Sequence, residues 1–265
     1  MIKYLRNIIK LLLEKNNVSY YKNIEKKKIL DVINLFKPYK AGYNLIRVGD
    51  NNDGGYLLPD CLDDIKYCFS AGVGDKTSFE NDLKKIGIHP FLADFSVDDN
   101  GEIKKFDFDK KFIKSYNSDN AWDINDWIDK KIDDQNKKNL LLQMDIEGGE
   151  YEVISAINEN NLKAFKMLVV EFHSIEYLGN HLLYQIIESS LTKLLKYFGV
   201  VHIHPNNWKK LSRVNGLNLP SNLEVTFLNK KFIKKWENID KLPHSLDKKN
   251  LKDKPDIQLD EYWYR

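Results

Sequence analysis

From Ile65 onward, seven short apolar runs alternate with stretches of helical periodicity, and this alternation constrains the fold more than any other feature. The runs are IKYCFSA (65–71), PFLADF (90–95), KFDF (105–108), LLLQM (140–144), MLVVEFH (167–173), VVHIH (200–204) and LEVTFL (223–228). Helical patterns fill 77–86, 123–136, 149–160 and 180–197. A run such as LLLQM, with no solvent-facing position, needs cover on both faces. Strands of that kind separated by helices imply an α/β fold with a mostly parallel sheet between two helical layers. The stretch PNNWKKLSRVNGLNLPSN (205–222) has no crossover-helix periodicity, so the last strand is expected to enter antiparallel.

The 265 residues suffice for one sizeable core with appendages: a helical extension (1–44), a main domain (45–235) and a charged tail (236–265) anchored by Tyr262, Trp263 and Tyr264. The 41 basic and 39 acidic residues nearly cancel, which argues against nucleic acid as the partner. Ile2, Leu5, Ile9, Leu12 and Leu13 recur at helical spacing in MIKYLRNIIKLLLEK. That amphipathic helix is too short to span a bilayer, and no cleavage site follows it, so a cytoplasmic protein without stable membrane insertion is expected. The helix is expected to pack on the domain or on a second copy in a homo-oligomer. Cys61 and Cys68 form neither a disulfide framework nor a zinc-ligand spacing.

The first run ends at Ala71 and meets Gly72-Val73-Gly74, and Thr77 with Glu80 matches a capping box. Glycines there let a ligand approach the backbone, and the helix start offers free N–H groups. Asp94 closes the next strand 20 residues after Gly74, where a carboxylate can accept from both ribose hydroxyls. Thr77 stands where a dinucleotide fingerprint needs its third glycine, so S-adenosylmethionine, which carries no phosphate, fits better than NAD. The preceding RVGDNNDGGYLLPD (47–60) is expected to be a ligand-contact loop, with Arg47 offering a fork for a carboxylate.

Three strand ends carry polar pairs at i and i+2: Asp145 and Glu147, Glu171 and His173, His202 and His204. Ligands of open α/β sheets bind outside the carboxyl ends of the strands, so these pairs are expected to line one crevice. Glu150 is read as a helix-dipole partner in the first turn of the following helix. Asn206 and Asn207 are expected at the lip, where amides bind sugar hydroxyls, with Trp208 as an aromatic face. Asp145, Glu171 and His173 form a hard-ligand set suited to Mg2+ or Mn2+. The acid–base candidates are Asp145, Glu147, His173 and His204. Asp107 and Asp109 are read as structural rather than as a metal-binding DxD.

With SAGVGDKTSFE, LADF, MDIEGGEYEVI, VVEFH, HIHPNN and RVGDNNDGGYLLP on the page, the chain resembles the FkbM-type S-adenosylmethionine-dependent O-methyltransferases of bacterial capsule and surface-polysaccharide clusters. The resemblance implies a Rossmann-like class I methyltransferase fold with strand order 3-2-1-4-5-7-6. It also implies methyl transfer to a sugar hydroxyl, the acceptor being a nucleotide sugar or another saccharide. The motif positions place Arg47, Tyr56, Ser70, Gly72, Gly74, Asp94, Phe95 and Asp145 at the methyl donor. A nicotinamide-dependent oxidoreductase and a non-catalytic binding protein are the alternatives.

Overall fold

The computed structural model describes residues 2–16, 22–74, 76–98 and 101–265; residues 1 and 17–21 of the expected N-terminal extension lie outside the described residues. Its central sheet holds β1 (Tyr67–Ala71), β2 (His89–Ala93), β3 (Asp107–Asp109), β4 (Leu140–Met144), β5 (Phe165–Phe172), β6 (Phe198–Pro205) and β7 (Leu223–Asn229). Their spatial order is β3-β2-β1-β4-β5-β7-β6. Strands β1 to β5 pair in parallel, and β7 runs antiparallel to both β5 and β6. All five residues of β4 and all eight of β5 are buried, as strands covered on both faces require.

The helices are α1 (Ile2–Lys15), α2 (Lys26–Leu35), α3 (Ser78–Lys85), α4 (Ile124–Lys131), α5 (Glu150–Ala156), α6 (Glu159–Ala164) and α7 (His181–Leu195). The larger core cluster joins one sheet face to α2, α4, α5 and α7. The opposite face is covered by α3 and by an antiparallel hairpin, Leu45–Gly49 with Gly55–Pro59. The segment expected to be a loop at 47–60 is therefore mostly sheet. Its register is fixed against β7, where Thr226 Oγ1 donates to Leu57 O at 2.8 Å.

Two sequence expectations shift. The helix expected over 149–160 is two helices, because the Asn158 side chain caps α6 by accepting from Asn161 N. The stretch 205–222 contains a small hairpin, Ser212–Val214 with Leu217–Leu219. Asn215 and Gly216 turn it with φ of 49° and 81°, the left-handed pair that a tight hairpin of this type demands. The core also takes in residues of the N-terminal extension and of the tail. Ile29, Val32, Ile33 and Phe36 are fully buried, as is Trp263 of the tail. The Phe36 ring meets Phe172 edge-on at 5.6 Å and Trp263 at 6.1 Å.

This three-ring contact ties both ends of the chain to β5. Phe36→Ala and Trp263→Ala should each cost about 3–5 kcal/mol in denaturant unfolding, the usual loss for a buried aromatic. Because the rings touch, the double variant should lose less than the sum of the two.

Candidate active site

The exit of β1 is built on close backbone approach. A Cβ on Gly72 would lie 1.7 Å from the Asp145 carbonyl oxygen, so only glycine lets β1 and β4 leave the sheet side by side. Gly74, at φ +57°, borders open space. Asp94 braces the turn: Val73 N and Gly74 N donate to its Oδ2 at 3.0 Å, and Ser96 N and Oγ donate to its Oδ1 at 2.8 and 2.6 Å. A cavity of about 330 Å³ opens beside the turn, lined by Tyr56, Gly72, Gly74, Glu80, Asp94 and Asp145 among others.

Three residues expected on that wall stand behind it. Arg47 holds the hairpin turn instead, donating from Nε to Asp50 O (2.6 Å) and from a terminal nitrogen to Asn52 O (2.9 Å). Phe95 packs on Phe112 at 5.0 Å. Ser70 is fully buried, donating to Gln143 Oε1 at 2.7 Å and contacting the Glu80 carboxyl. The expected capping box is absent: Thr77 makes no side-chain cap, and Glu80 turns inward to Ser70. Burial pushes the Glu80 carboxyl up to about 7, against the opposing pull of the Ser70 hydroxyl.

The second half of the site follows β4 and β5. Met144 pairs with Val170, so Asp145 and Glu171 leave the sheet as neighbours. His173 Nε2 lies 3.7 Å from Asp145 Oδ1, 3.4 Å from Glu147 Oε2 and 3.9 Å from Glu171 Oε1. Its other nitrogen, Nδ1, faces Glu150 Oε1 at 3.0 Å. That same oxygen accepts from Ile146 N and Gly148 N, both at 3.1 Å. Glu150, fully buried, stands in the first turn of α5 as expected and also positions His173 and closes the 145–149 turn. The EGGE spacing carried the signal, since Glu147 and Gly148 adopt φ of 54° and 98° and fold the chain back over α5. Extension does not persist past Met144, so Glu147 swings out and its side chain is exposed.

The charges are strongly perturbed. Burial and then Glu171 push the Asp145 carboxyl well above its ordinary range, and burial with Glu224 raises Glu171 to about 7. Burial alone would lower His173; the Glu150 hydrogen bond and the surrounding carboxylates outweigh it and hold the ring at about 9. Glu171 Oε1 accepts from Asn206 Nδ2 (3.0 Å) and Asn222 Nδ2 (2.8 Å). A cavity of about 520 Å³ lies over these groups, with Tyr177 and Trp208, 50% and 55% exposed, on its wall. Asp53, Asp145 and Glu147 line both cavities.

The third polar pair belongs elsewhere. Glu171, Glu224 and His204 are register partners and share a sheet face, but the tail covers the far end of that row. His202 Nε2 meets Asp247 Oδ1 at 2.8 Å, and His204 sits 3.6 Å from Glu224 and 3.5 Å from Asp256. Both histidines are buried and neither lines the donor-side or the acidic cavity, so His204, expected as an acid–base group, stands apart from these two cavities. Asn207, expected at the lip, latches the tail by donating to the carbonyls of Leu251, Lys254 and Pro255. The tail gives back Asn250 and Leu251 to the cavity wall, which sequence periodicity could not reveal. Asp107 and Asp109 pair with Lys131 at 2.7 and 2.8 Å, a structural duty as expected.

Residues 26–198 match the model of the methyltransferase FkbM domain, from the start of α2 to the first residue of β6. The chain belongs to this family. The FkbM methyltransferase match spans both cavities' β1, β4 and β5 walls, and the family implies S-adenosylmethionine as the usual methyl donor. No curated protein sequence matches the chain.

His204 makes the stability of this FkbM-family protein depend on pH. Burial lowers its pKa, but Asp256 and Glu224 outweigh that and push it up to about 10. A raised folded-state pKa means the contribution is complete below the unfolded value of about 6.5 and is lost as pH rises through about 10. Denaturant midpoints should fall across that window, and His204→Gln should flatten the dependence.

Proposed function

We propose that this protein transfers the methyl group of S-adenosylmethionine to a hydroxyl of a sugar, carried as a nucleotide sugar, in the assembly of bacterial capsule or surface polysaccharide. The observation that carries the reading is the pair of adjoining cavities sharing Asp145, one beside the glycine turn and one over an acidic, amide-rich floor. Family membership favours methyl transfer over hydride transfer or simple binding.

The glycine-turn cavity suits the donor. Gly74 leaves room for an approaching ligand, and the Tyr56 ring, edge-on to Phe79 at 5.4 Å, forms part of the wall. S-adenosylmethionine supplies an electrophilic methyl on sulfur, so the chain has mainly to align donor and acceptor and to receive one proton. Asp145 stands at the junction of the two cavities and is assigned to receive the acceptor's hydroxyl proton.

The acidic cavity suits a sugar. Asn206 and Asn222 offer amides beside Glu171, while Tyr177 and Trp208 offer half-exposed rings to an apolar sugar face. Lys209, on the same wall, suits the phosphates of a nucleotide carrier.

Asp145, Glu171 and His173 also fit a divalent cation. One ligand atom from each lies within 4.8 Å of the others, and Asp145 Oδ1 is buried without a hydrogen-bond partner. The outer shell fits as well: Glu150 orients His173, and two amides orient Glu171. Mg2+ or Mn2+ held there would act as a Lewis acid that makes a bound hydroxyl easier to deprotonate.

Two measurements test the assignment. In calorimetry, Asp94→Ala should weaken S-adenosylhomocysteine binding by about 1.5–3 kcal/mol. Asp145→Asn should slow methylation about 10²–10⁴-fold, far more than it weakens that binding. A screen in which peptides or phenols accept methyl and no nucleotide sugar does would overturn the acceptor class. Exhaustive chelation should stop turnover, and Mg2+ or Mn2+ should restore it. Activity that survives chelation would reduce Glu171 and His173 to hydrogen-bond partners of the acceptor.

A further inference from the structure

The positive charge of this chain is concentrated at one end. Residues 1–28 contain eight lysines and arginines against two glutamates, whereas the other 237 residues hold 33 basic and 37 acidic ones. The near-neutral total thus hides a basic segment joined to a slightly acidic domain. The same segment carries α1, whose sequence packs apolar residues onto one broad arc. Among the side chains described on that arc, Tyr4 is 74%, Ile9 48%, Leu11 66% and Leu12 56% exposed. The expected packing of α1 on the domain is not met at Ile9 and Leu12.

An exposed apolar arc costs stability unless something covers it. From this charge distribution and this exposure, we infer that the N-terminal segment docks the protein on an anionic lipid surface, α1 lying in the plane of the interface. Fourteen residues make a helix of about 21 Å, too short to cross a hydrocarbon core of about 30 Å but long enough to lie in its boundary. Among the described residues no helix is long and apolar enough to cross a membrane. Exposed Lys22, Lys26, Lys27 and Lys28 extend the basic stretch into α2, and each can face anionic headgroups.

The attachment point adds a direction. Ile24 N donates to Gly179 O at 2.9 Å, and Asn215 Nδ2 donates to Ile24 O at 2.6 Å. Gly179 lies two residues past Tyr177 on the wall of the acidic cavity, and Leu182, 66% exposed, follows. The basic segment therefore joins the domain beside the mouth of that cavity. Docking through it holds the mouth near the lipid surface.

The test is sedimentation of the full chain with vesicles of phosphatidylcholine, alone or mixed with phosphatidylglycerol. The protein should sediment with the anionic vesicles only and be released by raised salt. Leu11→Asp with Leu12→Asp should abolish binding. Lys22→Gln, Lys26→Gln and Lys27→Gln should each weaken it about five-fold. Circular dichroism and thermal unfolding should match the parent, since these side chains are exposed. The inference is overturned if the parent stays in the supernatant with both vesicles, or if the aspartate variant binds as well as the parent. It is also overturned if analytical ultracentrifugation shows a lipid-independent dimer that the aspartate variant dissociates, because a second copy would then cover the face.

Discussion

A single carboxylate oxygen, Glu150 Oε1, organises the centre of this molecule. On a fully buried side chain, it accepts from two backbone amides of the turn after β4 and faces the imidazole at the end of β5. A buried carboxylate is tolerated only with such partners, because leaving it unpaired costs several kcal/mol. The requirement works in both directions. The turn cannot open without stranding Glu150, and Glu150 cannot move without releasing His173. Three further acids, Asp145, Glu147 and Glu171, then gather around that imidazole's free edge, and their mutual repulsion gives the site a standing demand for a cation or for protons.

Amides as well as the two histidines, His173 and His204, serve these carboxylates. Asn206 and Asn222 serve Glu171, and Asn250 from the tail donates to Glu224 at 2.6 Å. An amide can satisfy a carboxylate oxygen without neutralising it, so the acidic character of the cavity is retained. The tail's contribution explains why residues after β7 belong to the domain. Asn207 and Trp263 fasten them at two separate points, one beside the polar row and one in the aromatic core.

Most of the architecture was legible because buried strands and amphipathic helices leave periodic marks. LLLQM and MLVVEFH read as strands covered on both faces, and so they are. What stayed hidden was set by tertiary contact. Ser70, Arg47 and Phe95 fit the cofactor motifs by position, yet each is committed to a neighbour behind the wall. His202 and His204 share a face as strand alternation dictates, but alternation cannot tell which face the tail will cover. Asn215-Gly216 is turn chemistry legible in the sequence, a left-handed pair between two short strands. Asp145, Glu171 and His173 converge as expected because the ends of adjacent parallel strands must lie together.

The Gly72 contact sets a limit on how this scaffold can change. The Asp145 carbonyl occupies the space a side chain at 72 would fill, so the floor of one cavity and the junction wall of the other are a single piece of backbone. No side-chain exchange can lengthen or shorten the gap between them. New acceptors can be accommodated only by remodelling the outer wall, where Tyr177, Trp208 and the tail stand on separate segments. The inner half of the site behaves as inherited geometry, and the outer half as the part open to diversification.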